Sequence, residues 1–477
     1  MLAFGQSRLE GFCLEDATRT RSHAPTHETP AGRPVRIGCG AGFASDRIEP
    51  GVDLAERGEL DFLFFECLAE RTLAHSHLAR NRDPAAGFNP HLARRMRAVL
   101  PACRANGTRI VTNGGAANPR GAGEAVAAVA RELGLAGLKI AVVEGDDVSA
   151  LIDRDTHLIE AGLSLGEFDR RVVGANAYLG SDAVADALDL DADIVITGRC
   201  ADPALVLGPL IHAFGWDRSD WGLMGAGTLI GHLLECSAQV TGGYFADPGI
   251  KDVANLAFLG FPMAIVDGTG TGTITKLPGT GGQVTRETVL EQLFYEIHDP
   301  RTYLTPDVTA DFSRVTIDEL AMDRVQVSGA GGRERPSHLK ATVGFDGGFL
   351  AEAEIGYAGT GAGARARLAA AILQERMTKL HHAPNVRTDL VGVDSLHKTA
   401  LDRDGAAAES RDVRMRAALR TDDKELAETL LYEVEALWIA GPAGGGGMRG
   451  TITPSVTTQS VMIDRARIEP KIRMIVA

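Results

Sequence analysis

Two polar turns in the first half of the chain carry residue types that could do chemistry. The first turn, 111–119, reads Val-Thr-Asn-Gly-Gly-Ala-Ala-Asn-Pro and contains Asn113, Gly114, Gly115 and Asn118. A Gly-Gly pair before a helix lets the backbone approach a ligand and leaves amide N–H groups free to bind negative charge. Such a turn could receive a phosphate, a carboxylate or a polarised carbonyl oxygen, with the asparagine amides donating and accepting. The alternative is an ordinary strand–turn–helix connection.

The second turn, 198–203, reads Gly-Arg-Cys-Ala-Asp-Pro and follows an apolar run. Arg199 could bind a carboxylate or phosphate through two parallel hydrogen bonds. Asp202 precedes Pro203, so it is either a helix N-cap, a catalytic carboxylate, or both. Cys67 and Cys200 stand at predicted strand ends as thiolate nucleophiles or as buried free thiols.

Other candidates are scattered along the chain. Glu66 ends a predicted strand and, like Asp202, could move a proton, whereas Asn176 and Gly40 end two further strands and could contact a ligand. His232 and Glu235 lie one helical turn apart, which suits a base with its orienting group, part of a metal site, or a structural pair. The glycines at 38–42 only partly match a dinucleotide fingerprint, because position 43 is Phe.

The elements that must position these residues alternate between strand-like and helical patterns. Short apolar runs occur at 35–38, 62–65, 109–112, 139–143, 172–175 and 193–197. Helical patterns at 92–105, 121–134 and 181–188 separate most of them. This succession predicts an α/β fold with an open, mainly parallel sheet and crossover helices. Ligands collect at the carboxyl ends of such strands, so the polar strand ends should converge on one face.

The second half of the chain changes character. We expect a helix at 224–240, a hairpin of strands 338–344 and 349–355, and a long helix at 363–380. Strand patterns at 413–419, 456–463 and 472–476 and a helix at 423–439 predict a small α+β unit over 387–477. The predicted organisation is a poorly ordered leader at 1–33, a core domain at 34–386 that could divide near 245–265, and this C-terminal unit.

Composition narrows the class without naming a reaction. The formal charge of −14 argues against nucleic acid and anionic membranes as main partners. The six cysteines form no C-x-x-C pair, and no apolar run approaches the length of a membrane span. We therefore expect a cytoplasmic, reduced protein without a metal site or bound cofactor.

Several segments together resemble the acyclic terpene utilisation AtuA family, and the resemblance covers nearly everything from residue 35 onward. It rests on 37–43 (Ile-Gly-Cys-Gly-Ala-Gly-Phe), 112–119 (Thr-Asn-Gly-Gly-Ala-Ala-Asn-Pro), 174–180 (Gly-Ala-Asn-Ala-Tyr-Leu-Gly), 198–203, 231–236 (Gly-His-Leu-Leu-Glu-Cys) and 241–243 (Thr-Gly-Gly). The resemblance implies a ferredoxin-like C-terminal unit and a place in branched-chain or terpenoid acyl-CoA catabolism. It implies no catalytic residue set.

The leading hypothesis is a non-redox enzyme of acyl-CoA or carboxylic-acid catabolism, of hydratase, hydrolase or lyase type. Asn113, Gly114 and Gly115 would form the anion cradle, Arg199 would hold a substrate carboxylate, and Asp202 or Glu66 would move the proton. The alternative is a non-catalytic acyl-CoA-binding or assembly subunit. A third hypothesis is metal-assisted catalysis with His232 and Glu235. We expect a homo-oligomer, with CoA as part of the substrate and an acyl-CoA carboxylase as a candidate partner.

Overall fold

A computed structural model describes residues 32–396 and 410–477. The predicted leader at 1–33 lies almost entirely outside these residues. The α-helices of the described part are α1 Glu49–Arg57, α2 Glu70–Arg82, α3 Leu92–Asn106, α4 Pro119–Glu132, α5 Asp182–Asp189, α6 Ala204–Phe214, α7 Trp221–Glu235, α8 Arg286–Phe294, α9 Ala362–His381 and α10 Lys424–Ala440.

The strands of the described part form two large sheets and two small ones. In chain order they are β1 Val35–Gly42, β2 Phe62–Glu66, β3 Arg109–Thr112, β4 Lys139–Glu144, β5 His157–Leu158, β6 Leu163–Ser164, β7 Val172–Ala177, β8 Ile194–Thr197, β9 Pro262–Val266, β10 Gly272–Lys276, β11 Tyr303–Leu304, β12 Thr309–Asp311, β13 Thr316–Ala321, β14 Arg324–Ser328, β15 Gly331–Arg333, β16 His338–Ala358, β17 Arg387–Val391, β18 Asp412–Thr421, β19 Gly446–Asp464 and β20 Lys471–Val476.

The larger sheet has a parallel centre and antiparallel margins. Its strand order is β13-β14-β10-β9-β1-β2-β3-β8-β4-β20, and the strands from β1 to β4 in this order pair in parallel. Strands β2, β3 and β8 are buried along their whole length, as expected for apolar runs covered by helices on both faces. The predicted α/β class with a sheet built on parallel strands is therefore confirmed.

The second sheet has the order β17-β18-β16-β19, and β7 also pairs with β16. Two predictions fail here. The predicted hairpin is a single long strand, β16, because β19 pairs with both of its halves and its register merely shifts between Asp346 and Phe349. The run at 172–175 is a strand, but it pairs antiparallel with β16 and does not join the parallel sheet.

The sheets do not follow the predicted domain boundary at 386/387. Strand β16 of the predicted core pairs with β18 and β19, and β20 pairs with β4 at the margin of the larger sheet. The division into domains, the break near 245–265 and the ferredoxin-like topology stay predictions. Within the described ranges, no helix combines the length and apolar character needed to cross a membrane.

Candidate active site

A cavity of about 1030 Å³ opens beside the carboxyl ends of β1, β2 and β8. Gly42, Glu66 and the 199–203 turn form one wall, and His338–Lys340 of the second sheet lie on another. The size suits a small organic ligand. The expectation that strand-end residues of a parallel sheet gather at one ligand-sized hollow therefore holds for part of the predicted set.

Arg199 is the buried cation of this cavity, with 1% of its surface exposed. One guanidinium nitrogen donates to Asp202 Oδ1 at 2.7 Å, and another donates to the Leu68 carbonyl. The guanidinium carbon also lies 4.0 Å from the centre of the Tyr178 ring. Burial lowers the pKa of Arg199, but the charges of Asp202, Tyr178 and Glu70 together raise it by more, so the side chain stays charged. Arg199 is a positive charge that two hydrogen bonds within the protein hold in place, and its bidentate contact with a substrate carboxylate stays a prediction.

Asp202 and Glu66 each keep one carboxyl oxygen unpartnered at the cavity. Asp202 Oδ1 accepts from Arg199, and Glu66 Oε1 accepts from the Leu68 amide at 2.6 Å and the Asn113 side chain at 3.0 Å. Neither second oxygen accepts a hydrogen bond from a residue in the described ranges, and both residues line the cavity. The helix after this turn has Pro203 as its N-cap residue without a side-chain cap, so the N-cap reading of Asp202 is wrong.

Burial raises the pKa of both carboxyl groups. Burial raises the pKa of Asp202 well above its ordinary value, and Arg199 opposes that rise. Burial also raises the pKa of Glu66, although its two hydrogen bonds lower it in part. Each carboxylate raises the pKa of the other, so ionisation of one disfavours ionisation of the second.

A second ion pair borders the cavity. Glu70 accepts from the Tyr178 hydroxyl at 2.5 Å and from Lys340 Nζ at 3.2 Å. Burial would raise the pKa of Glu70, but these donors and Arg199 lower it to about 2. Glu70, Tyr178 and Lys340 are not among the residues that the sequence predicts for the site. Their contacts join α2 to β16 across 270 residues, so no local pattern could have brought them together.

Exposed apolar side chains surround the cavity mouth. The exposed fraction is 56% for Phe43, 82% for Tyr244 and 62% for Leu304. Ile159 and Met462 are also exposed and line the same cavity. Apolar surface that collects around a concave site is typical of a site that binds an apolar ligand.

The Asn-Gly-Gly turn lies next to this site but does not line the cavity. The Gly114 amide donates to Thr112 Oγ1 at 3.0 Å, and the Gly115 amide donates to the Thr197 carbonyl at 3.1 Å. The predicted cradle of free amide groups is therefore wrong, since both donors are satisfied within the protein. Asn113 instead holds Glu66 with its amide nitrogen and accepts from the Cys67 amide with its oxygen.

The other predicted ligand contacts stabilise the fold and do not line the cavity. Asn118 caps α4, accepting from the Gly121 amide at 3.0 Å. Asn176 donates to Asp146 Oδ2 at 2.8 Å. The same oxygen accepts from the Arg199 amide, so Asn176 supports the 199–203 turn through Asp146. Gly40 packs under a phenyl ring, and an added Cβ there would overlap Phe65.

His232 lies behind the cavity wall. Its Nδ1 is 3.0 Å from Glu235 Oε1, and its Nε2 donates to the Leu293 carbonyl at 3.2 Å. Because Nε2 carries a hydrogen, Nδ1 either donates to ionised Glu235 or accepts from its protonated form. In the described part of the chain, no group of three or more His, Cys, Asp or Glu side chains is arranged to hold a metal ion.

The two candidate nucleophiles are buried thiols. Burial raises the pKa of both Cys67 and Cys200 to about 12, so neither is a thiolate at neutral pH. Cys67 Sγ accepts from Arg95 at 3.0 Å, and Cys200 Sγ accepts from Thr197 Oγ1 at 3.3 Å. Nucleophilic catalysis by these cysteines is not supported by their surroundings.

One comparison with known proteins decides the family. The family model described as acyclic terpene utilisation family protein AtuA matches residues 35–474, which is nearly the whole chain. The chain belongs to the AtuA family. The resemblance inferred from the sequence is thereby confirmed, and membership in AtuA places this protein in acyclic terpene utilisation in general. No curated protein and no solved structure matched the chain.

Proposed function

We propose that this AtuA protein is a non-redox, acid–base enzyme of terpenoid catabolism, of hydratase, hydrolase or lyase type. The observation that carries the proposal is the pair of unpartnered carboxyl oxygens, on Asp202 and Glu66, in one cavity beside the buried Arg199. Addition or removal of water, and cleavage next to a carbonyl, each need a proton donor and a proton acceptor on the same substrate.

The contacts of the carboxyl pair and of Arg199 give these residues different roles. Asp202 contacts Arg199, whereas Glu66 accepts hydrogen bonds only from neutral donors. The two residues act as a pair, in which the ionised carboxyl group is the general base and the protonated one is the proton donor. Arg199 keeps the local charge near neutrality and fixes Asp202 in place, which makes it a positioning residue.

The apolar mouth supports the substrate class. An acyclic terpene skeleton is a branched hydrocarbon, and each methylene group that it buries contributes about 0.8 kcal/mol. Phe43, Ile159, Leu304 and Met462 offer the apolar surface for such a chain outside the carboxyl pair. The proposal also includes an acyl-CoA form of the substrate, a cytoplasmic location, a homo-oligomer and an acyl-CoA carboxylase partner.

The test is turnover by the purified protein of a panel of terpenoid acids, esters and acyl-CoA thioesters. On any substrate turned over, Asp202→Asn and Glu66→Gln should each lower kcat/KM by about 10²- to 10⁴-fold. Asp318→Asn, a matched change at an exposed strand position outside the cavity, should leave kcat/KM unchanged. Wild-type rates in both carboxyl variants would contradict the proposal. Ligand binding without turnover would favour the non-catalytic binding subunit.

A further inference from the structure

Tyr303 lines the cavity but is not part of the proposed acid–base pair. It begins the short strand β11 and lines the cavity together with Asp202 and Glu66. Its ring centre lies 5.5 Å from that of His232 and 5.6 Å from that of Phe312. This aromatic packing fixes the ring, so the direction of the hydroxyl group is set before a ligand arrives.

The Tyr303 hydroxyl makes no hydrogen bond to any residue of the ranges 32–396 and 410–477. Two other phenols of the cavity lining differ, because Tyr178 donates to Glu70 and Tyr295 interacts with Gln239 and Glu296. Burial raises the pKa of the Tyr303 phenol well above its ordinary value, and the charges of Glu235 and Asp202 raise it further. The phenol therefore stays protonated and offers one free O–H donor to the cavity.

The charge of the cavity lining argues against a negatively charged reacting group. The cations Arg199 and Lys340 are already paired, with Asp202 and Glu70 respectively. A free carboxylate at the inner end would meet mainly like charge, which is costly in a partly desolvated site. The acidic residues in the lining are Asp46, Glu66, Glu70, Glu160, Asp202 and Glu296.

We propose that Tyr303 donates a hydrogen bond to an uncharged carbonyl oxygen of the substrate, and that the cavity accepts ester, thioester or ketone carbonyls in preference to free carboxylates. This inference rests on the proposed function for the place of the reacting group, and it names the substrate class of the same site. Tyr303 would polarise the carbonyl beside the carboxyl pair, where negative charge develops on oxygen as the proton moves. The apolar mouth would hold the hydrocarbon chain.

The test measures binding by calorimetry, so it does not depend on turnover. The probes share one acyclic skeleton: methyl citronellate as the ester, citronellic acid as the free acid, and the parent hydrocarbon. At neutral pH the wild-type protein should bind the ester at least about tenfold more tightly than the other two, since it alone offers an uncharged acceptor. The acid should bind more tightly as the pH falls and its carboxyl group becomes protonated.

The deciding variant is Tyr303→Phe, which keeps the ring that packs against His232 and Phe312. It should weaken ester binding by about tenfold and leave hydrocarbon binding unchanged. Tyr295→Phe, a matched change in the same cavity, should leave ester binding unchanged. Undiminished ester binding by Tyr303→Phe, equal binding of acid and ester at neutral pH, or no ester binding by the wild type would each overturn the inference. If Asp202→Asn lost turnover but these binding results were not obtained, the proposed function would stand and the inference about Tyr303 would fall.

Discussion

The turn after β3 and the turn after β8 are neighbours with similar sequence signals but different surroundings. Both follow buried parallel strands, both are rich in glycine and polar residues, and the Gly115 amide of the first donates to the Thr197 carbonyl beside the second. The first turn uses its polar groups within the protein, whereas Asp202 of the second turn keeps an oxygen at the cavity. A polar strand end therefore becomes a site only where the next layer of the fold leaves room beside it.

The largest expected effect comes from removing the charge that holds the second turn. Arg199→Met should lower the free energy of unfolding by about 1.5–3 kcal/mol, because it removes the charged hydrogen bond to Asp202. Urea denaturation measures this change. Arg199→Lys, which keeps the charge, should lose much less. If the methionine variant were as stable as wild type, the Arg199–Asp202 ion pair would contribute nothing to the stability of the turn.

A change in the first turn should damage folding and spare catalysis. At Gly115 an added Cβ would overlap the Thr197 carbonyl oxygen and lie 2.9 Å from the Pro119 Cα. Gly115→Ala should therefore lower the free energy of unfolding by about 1–3 kcal/mol, with kcat/KM of the folded fraction unchanged. Gly114→Ala is the milder control, because its nearest contact is a side-chain oxygen at 3.1 Å. A loss of kcat/KM in the folded fraction of Gly115→Ala would instead support the predicted anion cradle at this turn.

Asn113 links the two regions and should act through the pH profile. Its amide lowers the pKa of Glu66, so Asn113→Ala should raise that pKa and move the corresponding limb of the kcat/KM profile to higher pH. The unpaired Cys67 amide should also cost about 1–3 kcal/mol of stability. Asn118→Ala removes the α4 cap, so it should lower stability without moving the pH profile. If the pH profile of kcat/KM did not move in Asn113→Ala, Asn113 would have no influence on the carboxyl groups of the site.

A further expected effect is a pH-dependent loss of stability. Burial raises the pKa of Asp146, below the second turn, and of Asp307 from 3.8 to about 6. Because the folded state holds these protons longer than the unfolded state, stability falls as the pH rises from 3.8 to about 6. Each group should contribute up to about 1.4 kcal/mol per pH unit in this window. Thermal denaturation should show a shallower slope for Asp307→Asn, and an unchanged slope would refute the assignment.

Most helices and strands could be predicted from the sequence, because the residues that specify each of them are close together in the chain. The parallel strands, most helix bounds and the placement of Arg199, Asp202 and Glu66 at strand ends follow from apolar runs and the turns after them. The hairpin at 345–348 was wrong because a turn-like Asp-Gly-Gly can also sit in a shifted strand whose partner, β19, lies a hundred residues later. The pairing of β7 with β16 has the same distant origin.

Only part of the site could be predicted from the sequence, because its contacts also join distant parts of the chain. Which amide groups of Gly114 and Gly115 remain free depends on Thr112 and Thr197, and the sequence does not show that Thr197 is adjacent. Tyr303, Glu70 and Lys340 reach the cavity from three separate elements, so only the folded chain reveals their proximity. Residue type identified the candidates, and tertiary packing separated the cavity residues from the structural ones.

A crystal structure of the protein with methyl citronellate bound tests the central claim most directly. We expect the carbonyl oxygen within hydrogen-bond distance of Tyr303 Oη, the reacting carbon beside Asp202 and Glu66, and the chain against Phe43 and Leu304. A ligand on the amide groups of Gly114 and Gly115, or one that leaves this cavity empty, would contradict the account.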